Sequence, residues 1–411
     1  MLRSWRAVVA RFRALLHSDA AGVRAGFVAL LLSSGGDLLA GLTLGSITGT
    51  LESLPGLLVL VPAAIGMRGN VFGALGSRLG TAVHTGTFRM SRRLDTVVGQ
   101  NLAASISMSL SISLVLAILA KAISVGFGLE NTISVADFVV ISVIGGFLSS
   151  IVVMLITVGV ATLSVRRSWD LDNVTSPIVT AAGDMVTLPA LFLATYLVGI
   201  PWVTTVIAVL CAVVALIALV ASVRSRAPIL RRIARESLPV LVLAGTVDIV
   251  AGLTIEKRFS SFVLYPALLV LVPPFLEDSG ALGGILSARV STKLHLGTLV
   301  PGRGSFRAVG EDVLLIYMYA VPVFVLLGVS AQIAALAAGL NSPGSLEMIA
   351  VSLLAGAVTT TFAVLVGFYG AVAAYRLGLD PDNHGIPIVT SSLDLLGALA
   401  LILAIVALGL A

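Results

Sequence analysis

Charge is what this chain has least of. Asp, Glu, Lys and Arg make up 11% of its 411 residues, against roughly 25% in soluble globular chains, so it cannot cover itself with a solvated surface. Cysteine occurs once, as Cys211, which excludes a disulfide framework and a cysteine-ligated metal cluster. Histidine is nearly as scarce. No nucleophile–His–acid set and no HExxH motif falls within the apolar stretches, so nothing supports an enzyme. The formal net charge of +5 does not argue for nucleic acid, because the basic residues sit in short segments between apolar runs. What the chain has in excess is hydrocarbon: 58% hydrophobic residues and a mean hydropathy of +1.10. A backbone crosses lipid only with its hydrogen bonds closed, so the composition predicts an all-α polytopic membrane protein.

Runs long enough to cross a core of ~30 Å number eleven, at about 25–49, 54–83, 98–126, 136–164, 174–198, 202–223, 238–255, 262–292, 311–339, 346–375 and 384–409. The loops test that number. Arg3, Arg6, Arg11, Arg13 and Arg24 precede the first run. On the same side fall Arg89, Arg92, Arg93, Arg166, Arg167, Arg224, Arg226, Arg231, Arg232, Arg235, Lys293, Arg303, Arg307 and Arg376. The other side has Lys257 and Arg258, with Lys121 at its edge. The positive-inside rule then predicts a cytoplasmic N-terminus and an extracytoplasmic C-terminus in the plasma membrane. Residues 1–24 read either as a basic amphipathic helix on the cytoplasmic membrane surface, through Trp5, Val9, Phe12 and Leu16, or as a mobile basic tail. They do not read as a signal peptide.

The chain repeats itself. An offset of 211 aligns Pro55 with Pro266, Pro62 with Pro273, Arg78 with Arg289, His84 with His295, and Asp37 with Asp248 just upstream of a shared AGLT. At an offset of 210, DNVTSPIVTAAGD (172–184) matches DNHGIPIVTSSLD (382–394). Each repeat has five spans. Five is odd, so a sixth, linking span is needed to give both copies the same orientation. The expected organisation is a tail (1–24), repeat 1 (25–200), a linker helix with a cytoplasmic loop (201–236) and repeat 2 (237–411). Two parallel five-helix repeats joined by one helix amount to a homodimer fused about a pseudo-two-fold axis along the membrane normal. Such a chain needs no obligate protein partner. Cys211, in the linker, reads as an inert packed thiol.

Six acids lie inside apolar spans: Asp37, Asp184, Asp248, Glu277, Asp278 and Asp394. Each aspartate at mid-span costs about 2.5–3.5 kcal/mol even on lenient insertion scales, so such residues face a cavity or a partner. Asp184 and Asp394 sit about ten residues into their spans, ~15 Å deep and near the midplane, and Asp37 and Asp248 come out at similar depth. A pseudo-two-fold axis lets each pair converge. Converging carboxylates repel, and a divalent cation removes the repulsion. Ligands made only of oxygen suit Mg²⁺ or Ca²⁺ and disfavour zinc or copper. The plainer alternative is that each Asp bonds a neighbouring helix.

The second and eighth spans carry Pro62 and Pro273–Pro274 among clustered glycines. Two readings stand together: a kinked or unwound helix whose free carbonyls line a cavity, and close packing through small residues. Arg68 lies deep in the second span and needs a partner. Glu277 and Asp278, which replace Gly66 and Met67 of the first copy, are the expected one. Arg78 and Arg289 are expected to snorkel, and His84 and His295 to be packing or surface residues.

At MRGNVFGALGSRLGTAVHTG (67–86) and SGALGGILSARVSTKLHLG (279–297) the sequence resembles the membrane domain of MgtE-type magnesium transporters, in the duplicated form of the solute carrier family 41 proteins. Gly69, Asn70, Ser77 and Arg78 fit that family's second-helix signature. Asp184 and Asp394 fit its Mg²⁺-binding pore aspartate. The resemblance covers nearly all of residues 25–411. It implies Asn70 as a further ligand in the first copy, whereas Ala281 stands at that position in the second and Glu277 and Asp278 are added, so the expected site is asymmetric. With only residues 1–24 before the first span, the family's cytosolic Mg²⁺-sensing domains are expected to be absent, and control is expected within the membrane part or by ion coupling. The resulting expectation is a divalent-cation transporter, first for Mg²⁺. Its rivals are a Na⁺- or H⁺-coupled exchanger and a membrane Mg²⁺ sensor without flux.

Overall fold

A computed structural model describes residues 20–129, 131–167, 171–302, 304–379 and 385–410. The expected amphipathic tail therefore lies, over residues 1–19, outside the described residues. Eleven helices are long and apolar enough to cross a membrane, as expected, and no strand occurs among the described residues. They are α1 (Ala20–Ser46), α2 (Leu57–His84), α3 (Val97–Gly126), α4 (Val135–Val165), α5 (Leu171–Thr195), α6 (Val203–Val223), α7 (Pro228–Glu256), α8 (Ala267–His295), α9 (Gly310–Ala337), α10 (Ser345–Leu377) and α11 (Ile386–Ala407).

Most boundaries match the apolar runs. The exception is α7, which starts ten residues before its run. Pro228 opens it at a position where a missing N–H costs nothing. The extra turns carry Arg231, Arg232 and Arg235, which hydropathy excludes from a span but helical propensity does not.

The second and eighth spans, α2 and α8, are continuous helices despite their prolines, which corrects the expectation of unwinding. Pro62 is the sixth residue of α2, and Pro273 and Pro274 are the seventh and eighth of α8, so few intrahelical bonds are at stake. Two of the carbonyls that proline leaves without an N–H, those of Leu58 and Val270, are met by glycines of the other repeat. A Cβ on Gly252 of α7 would stand 2.7 Å from the Leu58 oxygen and 2.6 Å from that of Val59, and Pro62 is the residue that denies Leu58 its bond. A Cβ on Gly41 of α1 would land on the Val270 carbonyl, which Pro274 leaves free. The small-residue reading of these spans is the one the structure carries.

The pairing follows from those approaches. The first helix of each repeat packs on the second helix of the other, α1 on α8 and α7 on α2, and also on the fifth helix of its own, α5 and α11. Helices α2 and α8 form the centre and are the most buried of the eleven. The linker α6, the least buried, is peripheral and packs mainly on α3 and the start of α4. Glu256, at the end of α7, ties the repeats again. Its carboxylate accepts from the N–H groups of Gly56 and Leu58 at 2.8 and 3.2 Å, an acid at the positive end of α2. Gly56 adopts φ +93° there, a conformation open to glycine.

Candidate metal-cation site

The six acids divide into pairs and attendants. In repeat 1, α1 and α5 approach closely where Gly36 meets Ala181, with a Cβ position on the glycine 2.9 Å from the Ala181 Cβ. That approach brings the carboxylate of Asp37 onto that of Asp184. In repeat 2, α7 and α11 do the same for Asp248 and Asp394, and the Ser391 hydroxyl lies beside Asp248. Ser391 stands at the position of Ala181 under the 210 offset. Asp37, Asp184 and Asp248 are at most 1% exposed, and neither carboxylate oxygen of any of the three receives a protein hydrogen bond. Buried charge with neither donor nor cation is costly. At an effective dielectric of 20, two like unit charges 4 Å apart repel by about 4 kcal/mol.

Glu277 joins the pairs. It projects from α8 within electrostatic reach of Asp37, Asp184, Asp248 and Asp394. Its repeat-1 counterpart is Gly66, whose missing side chain makes room for the second pair: a Cβ there would lie 3.1 Å from Asp248 Oδ2 and 3.7 Å from Asp394 Oδ2. Glu277 and Asp394 are partly exposed, so they form the accessible edge of the cluster. Asp278 is fully buried and is held differently, accepting from the Ser34 hydroxyl at 2.8 and 2.9 Å.

Asn70 is not among the carboxylates. It lies one turn beyond Gly66 and lines a separate cavity with Arg78. Among the described residues no three Asp, Glu, His or Cys side chains close into a ready-made metal cage. The approaches are pairwise, Asp37 with Asp184 and Asp248 with Asp394.

Arg68 does not reach Glu277 or Asp278, which corrects the expected ion pair. It is 1% exposed and turns into its own repeat, donating to Ser149 Oγ at 2.9 Å and to Met67 Sδ at 3.0 Å. Its guanidinium also crowds Gly146, the residue after the π-helical turn Ile141–Gly145 in α4. Two residues past Gly66 is 200° around the helix, so if Gly66 faces the acids Arg68 faces away. Arg289 does not snorkel freely either. It pairs with Asp312 at 2.8 Å, and Lys293 joins the same carboxylate. Arg68→Gln and Asp278→Asn are expected to change thermal stability additively, within about 0.5 kcal/mol. A larger coupling in the double-mutant cycle would reinstate the ion pair.

Sequence reasoning missed Ser34, Ser391 and the part played by Gly66. Ser34 lies one turn before Asp37, and a polar residue at that spacing on an otherwise apolar face was the available signal.

Comparison with known proteins adds the family. The sequence model of a family described as "MgtE: Divalent cation transporter" matches residues 61–194 and again residues 272–404, so the internal repeat is matched copy by copy. Solute carrier family 41 member 3 of Rattus norvegicus is 24% identical over 398 residues, 90% of this chain and 84% of that protein. Solute carrier family 41 member 2 of Xenopus laevis is 27% identical over 400 residues, 90% of this chain and 69% of that protein. The human member 2 is 27% identical over 376 residues, 84% and 63% of the two chains.

Proposed function

Since this chain belongs to the MgtE family of divalent cation transporters, we propose that it carries Mg²⁺ across the membrane along the seam between its two repeats. The observation that supports this most is the two carboxylate couples, Asp37–Asp184 and Asp248–Asp394, which no cationic side chain joins and in which the buried oxygens of Asp37, Asp184 and Asp248 meet no protein donor. A divalent ion arriving through Glu277 and Asp394 supplies the missing positive charge. Asp184 and Asp394 are the central ligands, acting through retained waters. Asp37 and Asp248 complete the couples, Glu277 attracts the ion, and Asp278 is the bonded reserve of negative charge. Asn70 marks the continuation of the path one turn away.

The exchange of first helices between halves supports two parallel repeats, 25–200 and 237–411, about a pseudo-two-fold axis. With eleven spans and the basic loops on one side, the N-terminus is cytoplasmic, the C-terminus is outside, and the plasma membrane is the site of action. The unpartnered couples also favour a second reading. Protons or Na⁺ can discharge the same carboxylates, so release of Mg²⁺ would be coupled to uptake of one of them.

Reconstitution into liposomes tests both. Mg²⁺ flux is expected to exceed that of Ca²⁺, Mn²⁺ and Co²⁺, and a Na⁺ or pH gradient that drives it uphill would identify the exchanger. Saturable Mg²⁺ binding with no flux under any gradient would make the protein a sensor.

A further inference from the structure

Arg78 and Arg289 are equivalent positions in the two repeats, yet their charge is met differently. Arg289 has the Asp312 carboxylate, 1% exposed and shared with Lys293. In repeat 1 the segment VVGQN (97–101) stands where repeat 2 has AVGED (308–312). Asn101 thus replaces Asp312, and Ala82 replaces Lys293. The Asn101 amide turns to its own helix, its Nδ2 donating to the Val97 carbonyl at 2.9 Å, and its buried Oδ1 meets no donor. Arg78 has no ion pair among the described residues, and its Nε is buried without an acceptor.

Arg78 faces a cavity of about 20 Å³ between α2, α3, α7 and α11. Its polar lining is Arg78, Asn70, Ser105 and Ser237, with Met108 and Leu241 among the apolar walls, and no acid takes part. Ser105 is 1% exposed, and its hydroxyl there has no partner. A half-buried guanidinium whose Nε meets no acceptor, two hydroxyls and a side-chain amide around one small space are donors awaiting an acceptor, and an anion there would supply the counter-charge that the cation lacks. The enclosed part of the space is about that of one water-sized sphere, which suits a monatomic anion.

We propose that a single halide-sized inorganic anion, chloride in physiological salt, binds in this cavity against Arg78 and supplies the negative charge that Asp312 supplies in repeat 2. The cavity lies beside the cation path, because Asn70 is one turn from Gly66 and Pro387, also in its wall, is two turns before Asp394. A bound anion there also screens Arg78 from a passing cation.

The test uses the full chain in lipid nanodiscs, in gluconate buffer with a chelator, so that neither Mg²⁺ binding nor flux enters the readout. Radiolabelled chloride is expected to bind saturably to the wild type, and about tenfold or more weakly to Arg78→Gln, which loses a charged donor. Asn101→Asp installs the repeat-2 acid and is expected to displace the anion. Its unfolding temperature without chloride should match that of the wild type with chloride, and added chloride should no longer raise it. Should Arg78→Gln fail to fold, Asn101→Asp decides alone. Absence of saturable chloride binding in the wild type, leaving water as the occupant, overturns the proposal, as does undiminished binding in Asn101→Asp.

Discussion

Asp184→Asn and Asp394→Asn proteins are expected to fold, to lose Mg²⁺ flux, and to be more stable than the wild type when divalent ions are chelated. Loss of flux follows from removing a charged ligand. Hydrogen bonds to charged groups contribute about 1.5–3 kcal/mol each, so uptake should fall by about 10- to 100-fold. The gain in stability follows from the couples. Without a cation each brings two carboxylates together at depth, and an amide in place of one removes the repulsion while keeping the shape. Wild-type protein should gain thermal stability with Mg²⁺ by mass action, and the Asn variants should gain much less. Flux in liposomes and melting curves with and without chelator check the two halves separately. Wild-type flux in both variants would remove these aspartates from the path. Lower stability of the variants in chelator would mean that the carboxylates have partners of their own.

The second large effect is expected one turn from Asp37 and Asp248, where the helices of the two repeats cross. Gly41→Ala and Gly252→Ala each place a methyl group on backbone carbonyls, of Val270 in one case and of Leu58 and Val59 in the other. Backbone yields less readily than a flexible side chain, so each substitution should cost about 1–3 kcal/mol, and the double variant at least the sum, because both approaches set the spacing between repeats. Gly35→Ala serves as the control, since no atom lies within 4 Å of its Cβ position. Melting temperatures of purified proteins decide. Equal stability of Gly252→Ala and Gly35→Ala would show that α7 and α2 do not need the contact.

Much of this was legible in the sequence because lipid imposes simple rules. Span length, loop charge and the offset of 211 sufficed for eleven helices and their duplication, and the cost of an intramembrane acid singled out all six carboxylates. Direction was harder to read. Arg68 and Glu277 are both deep and opposite in charge, but depth is a coordinate along the helix and pairing depends on the angle around it. The two residues separating Arg68 from Gly66 turn it toward Ser149. The prolines misled in a related way. Their cost depends on distance from the helix start, and Pro62, Pro273 and Pro274 all fall within the first eight residues of their helices. Which carbonyls meet which glycines is set by the crossing of α1 over α8 and of α7 over α2, a long-range relation that local pattern does not encode.

The exchange of Glu277 for Gly66 has a bearing on why such halves are joined at all. A complex of two identical subunits must duplicate every residue, so a glutamate at this seam would occur twice, and its twin at position 66 would collide with Asp248 and Asp394. Covalent linkage lets the halves diverge. The protein can hold Glu277 and Asp278 in one half only, where identical subunits would have to carry them twice, so the two halves present unequal charge to an ion between them.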